Sequence, residues 1–350
     1  MAATPTTTMR AWTYTNAGSN LAEALTLDPN AQHPPDLPAD KFLIRVSYMS
    51  PNPADYKVPE LGRLFARGVI PSVPASPGMD YSGVITQIGS GLTDAGYKIG
   101  DKVFGRIAGT SYGTLGSYIH APAPCVAHLP SNVSLSDAAA LGTAAQTAYQ
   151  AITPYVTPGR GDEVFVNGGS GGVGTWAIQI AAALGCRVTT SCSTKNIALC
   201  RSLGAETVID YTTSPDAVTA ALRARGQVFK SVLDAVGHSG FDLYKAADDY
   251  LLPEGMFVQI GGDVSLSSMR DLVYQSLRPA MLGGGKRKWK FFLTYPSHEH
   301  LADLGKLMSE GQIKAVIDGD VYPYEDAPKA FEKLKTGRTR GKMVIRVSGE

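Results

Sequence analysis

A glycine-rich turn at residues 168–174 (GGSGGVG) constrains the fold of this chain more than any other stretch. It follows a short apolar, β-branched run at residues 163–167, and the residues after it repeat apolar side chains at the period of a helix. This order predicts a strand, a tight turn and a helix, with the GxGxxG spacing at Gly169, Gly171 and Gly174. In that motif the first glycine permits the sharp turn, the second lets the backbone approach a pyrophosphate, and the third lets the helix pack on the strand. The turn therefore predicts a dinucleotide site, and a tight turn without a ligand is the alternative.

Composition and charge exclude several classes of protein. The 350 residues suffice for two domains, and the formal net charge of +1 gives no sign of a nucleic-acid partner or an anionic membrane surface. No run approaches the roughly 18 apolar residues of a membrane span. The four cysteines lack C-x-x-C spacing, which is typical of reduced thiols, and the first eight residues are expected to form a frayed tail. We therefore expect a cytoplasmic protein.

The remaining chain divides into a β-rich part and an alternating part. Residues 9–127 contain short β-like runs separated by Pro and Gly, which predicts a mostly-β domain. Residues 130–151 are predicted to be helical, with Ser134 or Ser136 as the N-cap. After the glycine turn, strands alternate with helices, and the predicted strands are residues 187–191, 207–209, 231–234, 256–260 and 289–293. With the strand before the turn they make six, which predicts an α/β fold with a Rossmann doubly wound parallel sheet.

The last segment, residues 297–350, is too small to hold a core of its own. We expect it to return to the amino-terminal domain. The predicted organisation is a catalytic domain of residues 1–129 and 297–350 around a cofactor-binding domain of residues 130–296.

The end of the second predicted strand indicates which dinucleotide binds. NAD-preferring folds place a carboxylate there to bind the ribose 2′-hydroxyl, whereas residues 191–196 (SCSTKN) contain none. Lys195 beside hydroxyl groups suits a 2′-phosphate, and Tyr211 adds a hydroxyl or a flat face. These residues predict NADPH rather than NADH. The alternative is that Lys195 only begins a helix and Tyr211 is a surface aromatic.

Seven ordered motifs make the chain resemble the medium-chain dehydrogenase/reductase superfamily, and most of all its zinc-independent quinone oxidoreductase branch. The resemblance spans residues 9–347. The motifs are residues 52–57 (NPADYK), 77–84 (PGMDYSGV), 100–103 (GDKV), 139–144 (AALGTA), 168–174, 234–237 (DAVG) and 341–344 (GKMV).

The resemblance implies a GroES-like catalytic domain, a Rossmann domain and a cleft between them. It implies that Thr143 and Thr147 lie near the nicotinamide or its phosphates, and that Val236, Ile260 and Gly261 border the nicotinamide. It also implies a pyrophosphate at Ser170, Gly171, Gly172 and Val173 and a 2′-phosphate at Ser193, Lys195 and Tyr211. Tyr112, Leu61, Phe65 and Met281 are candidates for the acceptor pocket. Asp234 fits a strand-end turn better than a catalytic carboxylate.

A metal is not expected. Zinc-dependent relatives place a cysteine near the start of the Asn52 motif and a Gly-His-Glu where this chain has Gly78, Met79 and Asp80. They also carry four structural cysteines in the region of residues 98–118, where this sequence has none. A methionine thioether is a poor substitute for imidazole or thiolate, and the six histidines show no metal-ligand pattern.

Without zinc, the acceptor itself has to be activated, as quinones and α,β-unsaturated carbonyls are by conjugation. In the family fold, residues 52–57 face the nicotinamide. Asn52 is then a candidate to fix the ribose or carboxamide, and Lys57 or Tyr56 to donate a hydrogen bond to the developing enolate. Polyketide trans-enoyl reductases of the superfamily have a lysine at the matching place, which favours Lys57. Alternatively, Asp55 and Lys57 pair to hold the loop and Tyr56 belongs to the core.

The leading hypothesis is an NADPH-dependent reductase of a small electrophilic acceptor, namely a quinone or an activated alkene. One alternative is a trans-acting enoyl reductase of a biosynthetic pathway, whose acceptor is an enoyl thioester. The other is a protein that binds NADPH without turnover. The sequence leaves the choice between a monomer and a homodimer open.

Overall fold

The computed structural model describes residues 8–62, 72–108, 112–237, 240–260 and 286–349. The chain forms two compact units, the first made of Met1–Gln146 with Pro296–Glu350 and the second of Thr147–Tyr295. The sequence predicts the first boundary at residue 129, whereas the structure has it at Gln146.

Antiparallel strands dominate the first unit. They are β1 (Thr8–Thr13), β2 (Thr26–Gln32), β3 (Lys41–Ser50), β4 (Asp80–Ile88), β5 (Lys102–Arg106), β6 (Tyr118–Pro122), β7 (Val126–His128) and, near the end of the chain, β14 (Ile345–Arg346). β1 pairs with β2, and a second sheet has the order β14-β3-β4-β5-β7, with β6 also paired to β3. Phe42, Ile44, Tyr81 and Phe331 lie fully buried in its core. The pairing of β14 with β3 places the last strand of the chain in the sheet of the amino-terminal segment.

The first unit also contains short helices. They are α1 (Leu21–Ala24), α2 (Pro53–Glu60), α3 (Leu135–Ala139), α4 (Gly142–Ile152, which continues into the second unit), α10 (His298–Ser309) and α11 (Ala327–Lys335). Of the two N-cap residues that the sequence predicts, Ser134 is the N-cap of α3, since its hydroxyl accepts a hydrogen bond from the Asp137 N–H. The segment of residues 130–151 that the sequence predicts to be helical contains two helices, because α3 ends before α4 begins. A Cβ on Gly142 would lie 2.5 Å from the Asp80 carboxyl group, so α4 begins against that side chain.

A six-stranded parallel sheet forms the second unit and confirms the predicted doubly wound architecture. Its strands are β8 (Glu163–Asn167), β9 (Arg187–Cys192), β10 (Ala205–Asp210), β11 (Phe229–Asp234), β12 (Leu251–Ile260) and β13 (Lys288–Phe292), in the order β10-β9-β8-β11-β12-β13. Its helices are α5 (Gly172–Ala183), α6 (Ile197–Ser202), α7 (Ala217–Arg225), α8 (Gly240–Lys245) and α9 (Ala247–Tyr250). The strand order reverses between β8 and β11, the place where such sheets bind ligands. No helix among the described residues has the length and apolar character of a membrane span.

The fifth strand of this sheet is longer than its sequence predicts. β12 begins at Leu251, although the Pro253-Glu254-Gly255 stretch suggests a turn. Leu251 pairs with Phe229, and the register then shifts before Ser231 pairs with Met256. Leu251 and Phe229 are fully buried in one apolar cluster, so their burial extends the strand past a local turn signal.

Candidate active site

The glycine turn connects β8 to α5 through close backbone contacts. The left-handed conformation falls on Gly168, with φ of 85°, and Gly169 follows it inside the turn that the Gly171 N–H closes on the Gly168 carbonyl. A Cβ on Gly169 would lie 2.1 Å from the Thr190 hydroxyl, and one on Gly174 would lie 2.1 Å from the Gly168 carbonyl oxygen. A Cβ on Gly171 would contact only that carbonyl oxygen, at 3.4 Å. Two of the glycines thus allow close packing, and Gly171 has open space beside it.

The amino terminus of α5 fits a pyrophosphate. Gly171 is its N-cap and provides no side-chain hydrogen bond, and Gly172 and Val173 are the first two residues of the helix. The N–H groups of a first helical turn lack intrahelical acceptors, and the helix dipole is positive there. An uncapped helix end beside an open glycine is therefore suited to an anionic group.

A hydrogen-bond network behind the turn joins three parallel strands. The Gly168 N–H donates to Ser191 Oγ at 3.0 Å, and Ser191 Oγ donates to Asn167 Oδ1 at 2.5 Å. Asn167 Nδ2 donates to Asp234 Oδ1 at 2.8 Å, which also accepts from the Val236 N–H at 3.1 Å. Asp234 therefore holds the turn after β11. Sequence reasoning missed Asn167 and Ser191, although both are polar residues at the carboxyl ends of neighbouring predicted strands.

The residues predicted for the 2′-phosphate lie together beyond the ends of β9 and β10. Ser193 and Lys195 follow β9, and Tyr211 follows β10. Lys195 is exposed and Tyr211 is 53% exposed. The Tyr211 N–H donates to the Cys192 carbonyl at 3.1 Å, which holds the two strand ends side by side. The three predicted residues thus follow the ends of neighbouring strands in one corner of the second unit.

Asn196, which sequence reasoning missed, links this corner to the glycine turn. Its Nδ2 donates to Ser170 Oγ at 3.0 Å and to Ser193 Oγ at 3.2 Å. Its Oδ1 is buried and has no hydrogen-bond partner among the described residues. A buried acceptor without a donor is uncommon in folded proteins, so Asn196 also suits a ligand with hydrogen-bond donors.

Asp210 adds a carboxylate to the same corner. Its Oδ1 accepts from the Thr212 N–H at 2.9 Å and the Thr212 hydroxyl at 2.7 Å. Hydrogen bonds from Thr194 and Thr212 lower the pKa of Asp210. Asp210 is the last residue of β10, the third strand of the sheet in chain order, and parallel pairing places it opposite Cys192. The sequence predicts a role for the next residue, Tyr211, but not for Asp210.

The other predicted cofactor and pocket residues have diverse environments. Thr147 is buried in α4, Ile260 is buried at the end of β12, and Val236 is 43% exposed beside Gly168. Leu61 is 38% exposed, and Tyr112 packs on a small cluster that contains Met9 and Ala11. The remaining three predicted residues lie outside the described residues: Gly261, Phe65 and Met281.

In the first unit, Asn52 begins α2, which carries the candidate proton donors. Pro53 is the first helical residue, and the Asn52 N–H donates to Asp55 Oδ2 at 2.7 Å. Tyr56 and Lys57 follow on α2 and are both half-buried. Local capping explains why the helix begins at this place.

Five polar residues, which we call the buried charge cluster, surround the start of α2. They are Asn52, Asp55, Asp80, Arg106 and Lys342, each at most 7% exposed. Asn52 Nδ2 donates to Asp80 Oδ2 at 2.8 Å, and Lys342 Nζ donates to Asn52 Oδ1 at 2.6 Å. The amide of Asn52, predicted to fix the ribose or carboxamide, thus has protein partners at both of its polar atoms.

The buried charge cluster also contacts the first turn of α4. Thr143 donates to Asp80 Oδ1 through its N–H at 2.7 Å and its hydroxyl at 2.5 Å. A carboxylate at a helix amino terminus is favourable, because the helix dipole is positive there. Thr143, predicted near the nicotinamide or its phosphates, is therefore held by Asp80.

Burial changes the proton affinity of this cluster. It raises the pKa of Asp55 to about 7, with a further contribution from the neighbouring charge of Asp80. Burial lowers the pKa of Lys342, and Asp80 and Asp55 oppose that change. Both effects follow from the high free energy of a charge away from water.

We expect Asp55→Asn to raise the melting temperature at pH 8. Folding raises the Asp55 pKa from its ordinary value of 3.8 to about 7. The stability contribution of this group therefore falls as the pH rises from 4 to 7 and stays low above that. The variant removes this charge but keeps an acceptor for the Asn52 N–H. Calorimetry should show a gain of roughly 2–6 °C at pH 8 that shrinks toward pH 4, and a loss at every pH would contradict the assignment.

The chain does not fit a catalytic zinc ion at the place where zinc-dependent relatives hold one. The matching positions carry Asn52 and Met79, and each contacts a protein cation. Lys342 Nζ lies 2.6 Å from Asn52 Oδ1, and Arg106 Nη2 lies 3.7 Å from the Met79 sulfur. Amide and thioether groups are poor zinc ligands, and two fixed cations repel a third. Among the described residues, no group of three His, Cys, Asp or Glu side chains could hold a metal.

The chain combines a doubly wound sheet that carries a dinucleotide turn with an antiparallel β-unit. This combination defines a nicotinamide-dependent oxidoreductase. Comparison with known proteins agrees with this class. An alcohol dehydrogenase GroES-like domain matches residues 38–131, and a zinc-binding dehydrogenase domain matches residues 203–345.

Three relatives share nearly the whole chain. It is 38% identical to the trans-enoyl reductase pgmF of Aspergillus terreus, over 99% of this chain and 98% of that protein. It is 31% identical to the 2-methylene-furan-3-one reductase of Solanum lycopersicum, over 96% of this chain and 79% of that protein. The solved structure of the quinone oxidoreductase from Coxiella burnetii has a TM-score of 0.80 at 29% identity, over 97% of this chain and 99% of that one. The chain belongs to the medium-chain dehydrogenase/reductase family, whose members bind NAD(P)H, and it is a reductase.

Proposed function

We propose that this protein is an NADPH-dependent reductase that transfers a hydride to a quinone or an α,β-unsaturated carbonyl without a zinc ion. One observation carries the proposal. The chain keeps an open dinucleotide turn, while the positions that match zinc ligands carry Asn52 and Met79, each beside a protein cation. Membership of the family supports reductase chemistry. Because Asn52 and Met79 are poor zinc ligands, the acceptor is restricted to compounds that are already activated.

The acceptor has to be activated because no metal polarises it. A simple ketone or aldehyde depends on a Lewis acid, whereas a quinone or enone spreads the developing negative charge through its own conjugation. The bound cofactor supplies the hydride. The chain then supplies position and a proton, and Lys57 or Tyr56 on α2 donates a hydrogen bond to the acceptor oxygen that gains charge.

A second candidate function is trans-acting enoyl reduction. The chain is 38% identical to a protein named trans-enoyl reductase over 99% of its length. An enoyl thioester is an α,β-unsaturated carbonyl, so the residues proposed for an enone serve it equally. The two functions differ in whether the acceptor arrives free or on a carrier protein.

Consumption of NADPH with three acceptors tests both candidates. The purified protein is mixed with a quinone, a small enone or an enoyl thioester on a carrier protein, with matched thioesters on pantetheine as controls. Turnover of the free acceptors supports the leading proposal. Turnover confined to the carrier-bound thioester supports the second candidate. Tight NADPH binding with no consumption in any arm contradicts both and favours an NADPH-binding protein without turnover.

The preference for NADPH is a separate proposal that depends on Lys195. We expect Lys195→Ala to weaken NADPH binding about 10- to 100-fold, since a charge-assisted contact with the 2′-phosphate is lost. NADH affinity should stay unchanged, because NADH lacks that phosphate. Fluorescence titration measures both dissociation constants. Arg201→Ala removes an equal charge from the helix that follows, α6, and serves as the control. An unchanged ratio of the two affinities in Lys195→Ala would show that Lys195 does not read the phosphate.

A cytoplasmic location and a homodimer are also proposals. All four cysteines are free and buried, which suits a reducing compartment. Cell fractionation tests the location, and light scattering of the purified protein tests the oligomeric state.

A further inference from the structure

Lys342 occupies an unusual position for a lysine. Its side chain is 4% exposed, although lysine is almost never fully buried without a partner. Its Nζ lies 2.6 Å from Asn52 Oδ1, 3.1 Å from the Pro51 carbonyl oxygen and 3.6 Å from Asp80 Oδ2. An ammonium has three donors, and three oxygens surround this one.

These three oxygens belong to segments that are distant in sequence. Pro51 and Asn52 immediately precede α2, which carries Tyr56 and Lys57. Asp80 begins β4 and holds the first turn of α4 through Thr143. The contact from Lys342 to Asn52 spans 290 residues of chain. One ammonium therefore connects the start of α2 to β4.

The charge of Lys342 balances the acids around it. Asp55 and Asp80 are buried close enough to repel each other, and Lys342 and Arg106 both attract Asp55. Removing the counter-charge of a buried carboxylate strongly destabilises the folded protein.

We propose that Lys342 is a positioning residue for the reduction. Its ammonium fixes Asn52 against Asp80 and thereby holds the start of α2 where Tyr56 or Lys57 reaches the acceptor. This inference rests on the proposed function. The competing view is that Lys342 only stabilises the fold.

Three variants separate positioning from stability. Lys342→Met removes the ammonium, and the double variant Lys342→Met with Asp80→Asn also removes the carboxylate that would be left unpaired. Lys333→Met is the matched control, because Lys333 forms an ion pair with Asp318 at 3.1 Å in the same unit without contact to Asn52. The melting temperature, the NADPH dissociation constant, kcat and backbone hydrogen exchange of residues 52–60 are measured for each.

We expect Lys342→Met to lower the melting temperature and the double variant to recover most of it. In both, kcat should fall at least tenfold, because misplaced catalytic groups lose rate while NADPH affinity changes little. Exchange in residues 52–60 should be faster in both than in the native protein and in Lys333→Met. If Lys342→Met does not fold, the double variant alone decides.

Two results would overturn the inference. One is a double variant whose kcat recovers together with its melting temperature. The other is unchanged exchange in residues 52–60 when the ammonium is absent. A native protein that reduces no acceptor would defeat the proposed function instead, and the exchange measurement would still decide whether Lys342 positions α2.

Discussion

Gly174→Ala is expected to weaken NADPH binding at least 100-fold and to destabilise the cofactor-free protein. The new Cβ would lie 2.1 Å from the Gly168 carbonyl oxygen and 2.7 Å from the Gly169 Cα. Both contacts are with backbone, which cannot rotate away, so α5 has to move from the turn. Overpacking of this kind costs about 1–3 kcal/mol, against which alanine returns up to ~1 kcal/mol of helix propensity. The larger effect is on NADPH binding. Once α5 has moved, its amino terminus and the glycine turn can no longer contact the same phosphate group.

Gly171→Ala is the control for this prediction. Its Cβ would contact only the Gly168 carbonyl oxygen, at 3.4 Å, so the cofactor-free protein should unfold at nearly its native temperature. NADPH binding should still weaken, because the methyl group fills the open space beside the turn. Calorimetry without cofactor and fluorescence titration with it measure the two effects. Equal destabilisation by both substitutions would show that the two glycines do not have separate roles.

The architecture of the second unit follows from local patterns. Its four central strands, β9, β8, β11 and β12, are mostly buried, and buried parallel strands favour apolar runs that a sequence displays directly. The glycine turn is equally visible because its spacing is local. The backbone conformation of the turn is harder to predict. The left-handed residue is Gly168, and nothing in the glycine spacing distinguishes it from Gly169.

The buried charge cluster could not be predicted from patterns. The motif of residues 52–57 points to Asn52, but the bond of Asn52 to Lys342 connects residues 290 positions apart. A buried lysine has the same sequence signature as an exposed one. The break between α3 and α4 has a similar cause, because it depends on Asp80, which lies 63 residues before Thr143. Contacts of this range depend on the completed fold.

Lys57→Met is expected to lower kcat for an enone about 100- to 1,000-fold while the NADPH dissociation constant changes less than about threefold. The lost ammonium no longer stabilises the oxygen that gains charge or donates a proton, whereas Lys195 and the glycine turn, which we propose bind the cofactor, are unchanged. Steady-state kinetics and fluorescence titration measure the two quantities.

Two further variants make the Lys57 prediction specific. Lys335→Met is the matched control, because Lys335 Nζ lies 2.8 Å from Glu60 at the end of α2 and 5.6 Å from the centre of the Tyr56 ring. It therefore removes an ammonium beside the same helix without removing the proposed donor, and its kcat should stay near the native value. Tyr56→Phe tests the other donor and should have a small effect if Lys57 acts. The opposite result would be native turnover in Lys57→Met and a large loss of turnover in Tyr56→Phe. It would show that Tyr56, and not Lys57, is the donor.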